Sequence, residues 1–310
     1  MAKLISLGQY TYYARWFIAS VFGKKRPLVN TMIINFECNL KCKHCSIHGN
    51  ASNLPDVKRL SYADAVEEMK LGFEKGARIL FFEGGEPTMW KDGDRTVSDL
   101  VEAGKGIGYF VTGYTTNGTN VIFTNSDVIS VSLDGPKEVH DKIRCSDGVY
   151  DMLMANLEKV DHPNIFANMT IMKENKDLLR ETVDIVSKSD KIHGIMLNFL
   201  TPPPFESMLT LDEKKEIVRQ AIALKKEGAP ILNSGKALKE MLIEDYGETC
   251  ADWVSMFVLP DRSHHYGCPM RGTESCKKCG FDAVREYSLI TRGNVQAIMQ
   301  MSKRFAFSSD

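Results

Sequence analysis

The chain has 310 residues, 43% hydrophobic and 25% charged, with a formal net charge of −1. This composition is globular: it excludes a disordered or collagen-like chain, and the near-zero charge excludes bulk electrostatic capture of nucleic acid. No run of 18 uninterrupted apolar residues and no secretory-signal pattern occurs, so a cytoplasmic protein without a spanning helix is expected.

Residues 1–27 read as an amphipathic leader. Leu4, Ile5, Tyr10, Tyr12, Tyr13, Trp16, Phe17, Ile18, Val21 and Phe22 form an apolar, aromatic helical segment that ends in Lys24, Lys25, Arg26 and Pro27. Two readings stand side by side. The leader lies in a membrane interface with its basic end on anionic lipid, or it packs on the main domain or on a second subunit.

From residue 28 strands alternate with helices. Residues 29–36, 78–83, 109–115, 128–133, 165–172 and 194–199 read as strands. Residues 61–75, with Ser61 as N-cap and Asp64 in the first turn, read as a helix, as do 96–103, 150–160, 178–187 and 211–226. Six such units predict a parallel sheet wound by right-handed crossovers and are too few to close an eight-stranded barrel. The expected fold class is α/β, a partial (β/α)6 barrel over residues 28–229, with Thr201-Pro-Pro-Pro204 capping one end of the sheet. Beyond residue 229 the periodicity is lost. Residues 230–310, with a short helix near 236–245 and a helical C-terminal stretch, read as a small cysteine-bearing extension.

Seven of the eight cysteines fall in two groups, which favours metal or iron–sulfur ligation in a reducing compartment over disulfides. Cys38-Asn-Leu-Lys-Cys42-Lys-His-Cys45 follows the first strand directly. Three thiolates on one tight loop can hold three irons of a 4Fe–4S cluster and leave the fourth open, as a reactive centre needs. Zinc competes, with His44 or His48 as fourth ligand. The second group, Cys250, Cys268, Cys276 and Cys279, offers four thiolates for a closed 4Fe–4S cluster or zinc; three of them with a substrate-bound iron is a further arrangement.

The first loop resembles that of the radical S-adenosylmethionine (radical SAM) superfamily, and Gly84-Gly85-Glu86-Pro87 at the end of strand two is similar to its Gly-Gly-Glu-Pro motif. The resemblance implies that the open iron chelates the amino and carboxylate groups of S-adenosylmethionine, whose carbon–sulfur bond is split by one electron to give a 5′-deoxyadenosyl radical. Gly84 and Gly85 would let the backbone approach the cofactor, and Glu86 would accept from its ammonium group. Thr115-Thr116-Asn117-Gly118, Ser132-Leu133-Asp134-Gly135-Pro136 and His140-Asp141-Lys142-Ile143-Arg144 resemble the same superfamily, especially members with a C-terminal cluster-binding extension. On that likeness Ser132 and Arg144 partner the methionine carboxylate and Asn117 the ribose, although Asp134-Gly135-Pro136 by itself reads as a turn. Asn168 and Asn198 point into the cavity or are satisfied core residues. The likeness assigns the second cysteine group an auxiliary 4Fe–4S cluster, with Pro260-Asp-Arg and Tyr266-Gly-Cys268-Pro269 as a hairpin leading into a ligand. It also implies a flavodoxin or ferredoxin as electron donor.

Cys145 follows Arg144, where many extended members have glycine. It is a small buried hydrophobe, or a thiol whose pKa Arg144 lowers and which donates a hydrogen atom to a product radical. Radical enzymes that join the adenosyl radical to hopanoid lipids are similar here, and share an apolar leader and the pattern of Cys250-Ala-Asp-Trp253. Residues Asn35 and Phe36 before the loop are closer to the peptide-modifying group. The leading expectation is a radical SAM enzyme acting on an unactivated carbon of a hydrophobic, isoprenoid or lipid substrate. The alternatives are a maturase of a peptide or protein and, from another class, a non-catalytic zinc or iron–sulfur module.

Overall fold

Strand β1 (Val29–Asn35), helix α2 (Tyr62–Lys75) and strand β2 (Ile79–Gly84) follow a first helix, α1 (Leu7–Val21). The computed structural model describes residues 6–45, 47 and 56–304. Leu4, Ile5, His48 and residues 305–310, which figured in the sequence reading, lie outside the described residues. The order continues with α3 (Val97–Ile107), β3 (Val111–Thr116), β4 (Val128–Ser132), α4 (Lys137–Arg144) and α5 (Val149–Leu157). Then come β5 (Ile165–Ile171), α6 (Leu179–Lys188), β6 (Ile195–Phe199) and α7 (Leu211–Lys226). Local chemistry sets these boundaries. Ser61 accepts from Asp64 N at the start of α2, and Gly76 ends that helix at φ +116. Thr210 and Glu213 form a reciprocal capping box at the start of α7.

The strands form one sheet in the order β6-β5-β4-β3-β2-β1, all parallel, which is the expected α/β partial barrel. The outer face of the sheet packs on the helices through Met32, Ile34, Leu80, Phe82, Ile129, Val131, Met169 and Leu197. The opposite face alternates with these positions and is half-buried at Asn168 and Asn198, since it lines the barrel interior.

Two features depart from the expectation. The sheet has eight strands, because the extension adds β7 (Ser255–Val258), parallel to β1, and β8 (His264–Tyr266), antiparallel to β7. The expected hairpin is therefore also an edge of the barrel sheet. Within the extension the expected short helix, α8 (Gly235–Glu240), and helical C-terminal stretch, α10 (Asp282–Thr291) and α11 (Val295–Arg304), are accompanied by a further short helix, α9 (Glu274–Lys277), that the sequence did not predict. Phe199 N donates to Gly280 O at 3.0 Å, so the segment ahead of α10 rests on the end of β6. The extension thus touches both margins of the open barrel. Arg262, at the hairpin turn, pairs with Asp64, Glu67 and Glu68 of α2 and fastens β7 and β8 to the barrel.

The leader packs. Trp16 is buried, stacks on Trp253 at 5.7 Å and donates from Nε1 to Arg26 O at 2.9 Å; Tyr12 Oη donates to Gly76 O. With Val29, Ile79, Val111, Val128 and Phe166 this side of α1 forms an apolar cluster at the amino-terminal end of the strands. Its other side leaves Leu7, Tyr10, Ile18, Val21 and Phe22 exposed.

Candidate active site

The predicted motifs converge at the carboxyl ends of the strands. Asn35, the last residue of β1, stitches the first cysteine loop to the glycine motif after β2. Its Nδ2 donates to Glu37 O at 3.2 Å and to Glu86 O at 3.1 Å, while Gly85 N donates to Asn35 O and Glu86 N to Glu37 O, both at 2.8 Å. A Cβ on Gly85 would lie 2.2 Å from Glu37 O, and one on Gly84 2.3 Å from Asn35 O. The two glycines are therefore required by backbone packing on backbone.

The Glu86 carboxylate is buried and ties β2 to β3. Oε1 accepts from Thr88 N, Thr88 Oγ1 and Thr116 Oγ1 at 3.0, 2.7 and 2.7 Å, and Oε2 from Asn117 N at 2.7 Å. Burial raises its pKa, and these hydrogen bonds only partly offset the rise. Asn117 Nδ2 reaches Asn39 Oδ1 at 3.0 Å and Cys38 Sγ at 3.9 Å. Asn117 thus supports the cysteine loop.

Asp134, which read as part of a turn, is an anchor. It is fully buried: Oδ2 accepts from Arg144 Nε at 2.8 Å and Nη2 at 2.7 Å, and Oδ1 accepts from Thr170 N at 3.1 Å. Burial pushes Asp134 up, but Arg144, His44 and His140 more than offset it and the carboxyl titrates below its usual range. Arg144 Nη1 is 3.7 Å from Cys42 Sγ, so the guanidinium bridges a carboxylate and a thiol of the cysteine loop. Ser132 ends β4 beside them and is buried. Asn198 Nδ2 donates to Asn168 Oδ1 at 2.7 Å, and Asn198 Oδ1 accepts from Asp282 N at 2.8 Å. Both asparagines therefore share the interior face and lead from the barrel to α10. Glu83 takes that face too, since its neighbour Phe82 belongs to the outer core; burial pushes its carboxyl up. The sequence reading missed Asp134 and Glu83 as site residues.

Cys145 stands apart. It is exposed at φ +55 as the C-cap of α4, which overturns the buried-hydrophobe reading. Arg144 is directed to Asp134 and Cys42 instead of the Cys145 thiol. The left-handed conformation of Cys145 is one that glycine adopts without strain.

The cysteines fit metal or cluster binding. None of the eight is in a disulfide, and Cys38, Cys42 and Cys45 sit on one loop with Cys45 N donating to Cys42 O. N–H groups of Arg144 and Asn117 aimed at sulfur stabilise negative charge there, as thiolate ligands need. His44 is neutral at pH 7, since burial pulls its pKa to about 4. Cys250, Cys268, Cys276 and Cys279 ring one cleft with Tyr246, Asp252, Met270 and Phe281. Burial raises Cys250 to about 12 and Cys268 to about 11, so bound metal has to displace protons there. Among the described residues, no three His, Cys, Asp or Glu side chains converge on a single-ion position.

The family described as the Radical SAM superfamily matches residues 32–186, half of the chain. The Fe-coproporphyrin III synthase of Methanosarcina barkeri is 28% identical over 214 residues, 66% of this chain and 52% of that protein. The AdoMet-dependent heme synthase of Oleidesulfovibrio alaskensis is 29% identical over 149 residues, 44% of this chain and 37% of that protein. The chain thus spans about half or less of these curated relatives. Among solved structures, Streptococcus suis SuiB bound to S-adenosylmethionine superposes with a TM-score of 0.59 at 15% identity, covering 88% of this chain and 66% of that one. The tagged anSMEcpe with bound AdoMet gives 0.62 at 16% identity, covering 91% and 81%. These likenesses establish a shared fold.

Proposed function

The chain belongs to the radical SAM superfamily and is an enzyme that uses a 4Fe–4S cluster and S-adenosylmethionine; from that premise we propose that Cys38, Cys42 and Cys45 hold the reactive cluster and that the substrate occupies the barrel interior. The observation that carries this is the stitching of the three-thiol loop to Gly84-Gly85-Glu86 by Asn35, which joins cluster site and cofactor motif into one rigid unit. When bound, the cluster supplies the electron that splits S-adenosylmethionine into methionine and the 5′-deoxyadenosyl radical. The chain's own residues orient and shield: Arg144 and Asn117 direct N–H groups at the ligand sulfurs, and Asp134 keeps Arg144 in place. Gly84, Gly85, Glu86, Asn117, Ser132 and Arg144 bound the S-adenosylmethionine site, and Cys250, Cys268, Cys276 and Cys279 hold a second 4Fe–4S cluster. The ring of thiols around a cleft supports a group larger than one ion.

The interior wall bears on the substrate. Glu83, Asn168 and Asn198 are polar, which favours a substrate with hydrogen-bonding groups over a wholly apolar lipid. Two curated relatives are named for porphyrin and heme synthesis, and a fold neighbour is SuiB bound to a precursor peptide. None of them is named for a lipid, so the lipid expectation is without support. A peptide remains the second reading on the strength of the fold neighbours. A flavodoxin or ferredoxin is the proposed reductant. Among the described residues no helix is long and apolar enough to cross a membrane. The exposed side of α1 beside Lys24, Lys25 and Arg26 supports peripheral contact with anionic lipid; Ile18→Glu with Phe22→Glu should abolish liposome flotation, and flotation equal to the parent's refutes that contact.

The test is anaerobic reconstitution followed by mass spectrometry of adenosyl products, with tetrapyrrole, peptide and lipid fractions supplied separately. About eight irons per chain and 5′-deoxyadenosine formation that Cys42→Ala abolishes are expected. An iron-loaded, reduced chain that leaves S-adenosylmethionine intact with every fraction refutes the reading.

A further inference from the structure

Among the described residues two arginines aim a guanidinium at a cysteine sulfur. Arg144, near Cys42, is paired with Asp134. Arg285, on α10, is only 1% exposed. Its Nη1 donates to Cys279 Sγ at 3.4 Å and to Phe281 O at 2.9 Å, and its Nη2 to Cys279 O at 2.8 Å. The guanidinium carbon sits 4.6 Å from the Tyr246 ring centroid, while Nε finds no partner. Of the carboxylates on neighbouring residues, Glu240 pairs with Arg292, Glu286 accepts from Ser234 N, and Asp282 is buried one turn earlier on α10.

Lys214 of α7 is buried, with its ammonium 5.6 Å from the Phe199 ring centroid. Burial lowers its pKa; Glu244 and Cys279 act to raise it, and Arg285 lowers it further. Cys279 Sγ thus accepts from a buried guanidinium. A buried cation hydrogen-bonded to a sulfur is best matched by negative charge on that sulfur, which a neutral thiol does not supply. A metal-bound thiolate does.

We propose that Arg285 is the buried counter-ion of the C-terminal metal–thiolate centre, and that its charge holds Cys279 as a ligand and raises the reduction potential of the cluster there. The inference rests on the reading that Cys250, Cys268, Cys276 and Cys279 bind an iron–sulfur cluster. Reduction adds negative charge to such a cluster, and a fixed positive charge hydrogen-bonded to one of its sulfurs favours the reduced form. Arg144 cannot act equally at the first cluster, because Asp134 cancels its charge.

The test uses the full chain with Cys38, Cys42 and Cys45 replaced by alanine, so that only the C-terminal centre reports. Its metal is counted, and its midpoint potential is read by electron paramagnetic resonance during a redox titration, with Arg285 intact, as Arg285→Lys and as Arg285→Gln. Lysine keeps the charge; glutamine keeps a hydrogen-bond donor and loses the charge. Arg285→Gln should weaken the reduced state at least tenfold, about 59 mV lower for a one-electron couple, while Arg285→Lys stays near the parent. Iron retained by the lysine variant and lost by the glutamine variant would equally support the counter-ion. Iron-loaded variants with unmoved potentials, or equal loss of iron from both, would overturn the proposal alone. Zinc in place of iron in the parent would overturn the cluster reading, and the proposal with it.

Discussion

Asp134→Asn preserves side-chain size and an acceptor for Thr170 N while removing the charge that faces Arg144. Both partners are buried, at 0% and 8% exposure, with contacts of 2.8 and 2.7 Å. Removing one member of such a pair costs about 3–5 kcal/mol, because the other charge stays buried without compensation. The retained Thr170 contact places this substitution at the lower end, about 3 kcal/mol. One kcal/mol moves the melting temperature of a large domain by about 2–4 °C, so a fall of about 6–12 °C is expected. The assay is thermal unfolding of the metal-free chain by circular dichroism at pH 7, with Arg144→Met and the double variant in parallel. The double variant should recover much of the loss, since an apolar replacement of a whole buried pair is often near neutral. A fall of less than about 2 °C for Asp134→Asn, or strict additivity in the double variant, would refute the reasoning.

Other substitutions probe the same framework. Gly85→Ala places a methyl 2.2 Å from Glu37 O and should displace the cysteine loop, lowering the iron content by about four per chain; full loading would show that the loop adapts. Cys145→Gly relieves a left-handed residue and should raise stability by about 1 kcal/mol in a denaturant titration; no gain would mean that the C-cap carries no strain. His140 is buried and its pKa falls from 6.5 to about 4. The unfolded chain takes up that proton first, so stability present above pH 6.5 is lost as the pH falls towards 4, by about 1.4 kcal/mol per pH unit. His140→Gln should therefore flatten the dependence of melting temperature on pH in that window, and an unchanged slope would count against it.

Local signals carried much of the architecture. The β1–β6 strands announce themselves by β-branched, apolar runs, and α7 by its capping residues Thr210 and Glu213. The three-thiol loop and the Gly-Gly-Glu motif were equally plain, because their chemistry is written in contiguous residues. Helix α4 was not legible: Lys137-Glu-Val-His-Asp-Lys-Ile-Arg144 has two apolar residues in eight, and Pro136 at the N-cap offers no side-chain acceptor. Strand β7 has only four residues, and what makes it a strand is a partner far away in sequence. Asp134 and Arg285 act through contacts across the fold, to Arg144 and Thr170 in one case and to Tyr246 in the other. No spacing rule announces such pairs, and the turn-like appearance of Asp134-Gly135-Pro136 concealed its role.

The pairing of β1 with β7 joins residues 29–32 to 255–258. During synthesis, β1 leaves the ribosome with one margin unsatisfied and waits for a complement made more than two hundred residues later. An unsatisfied parallel margin is a template for the wrong neighbour, and so distant a contact forms slowly. Nascent chains stalled before residue 255 should therefore be the aggregation-prone species, which makes late translation the vulnerable period in this protein's production.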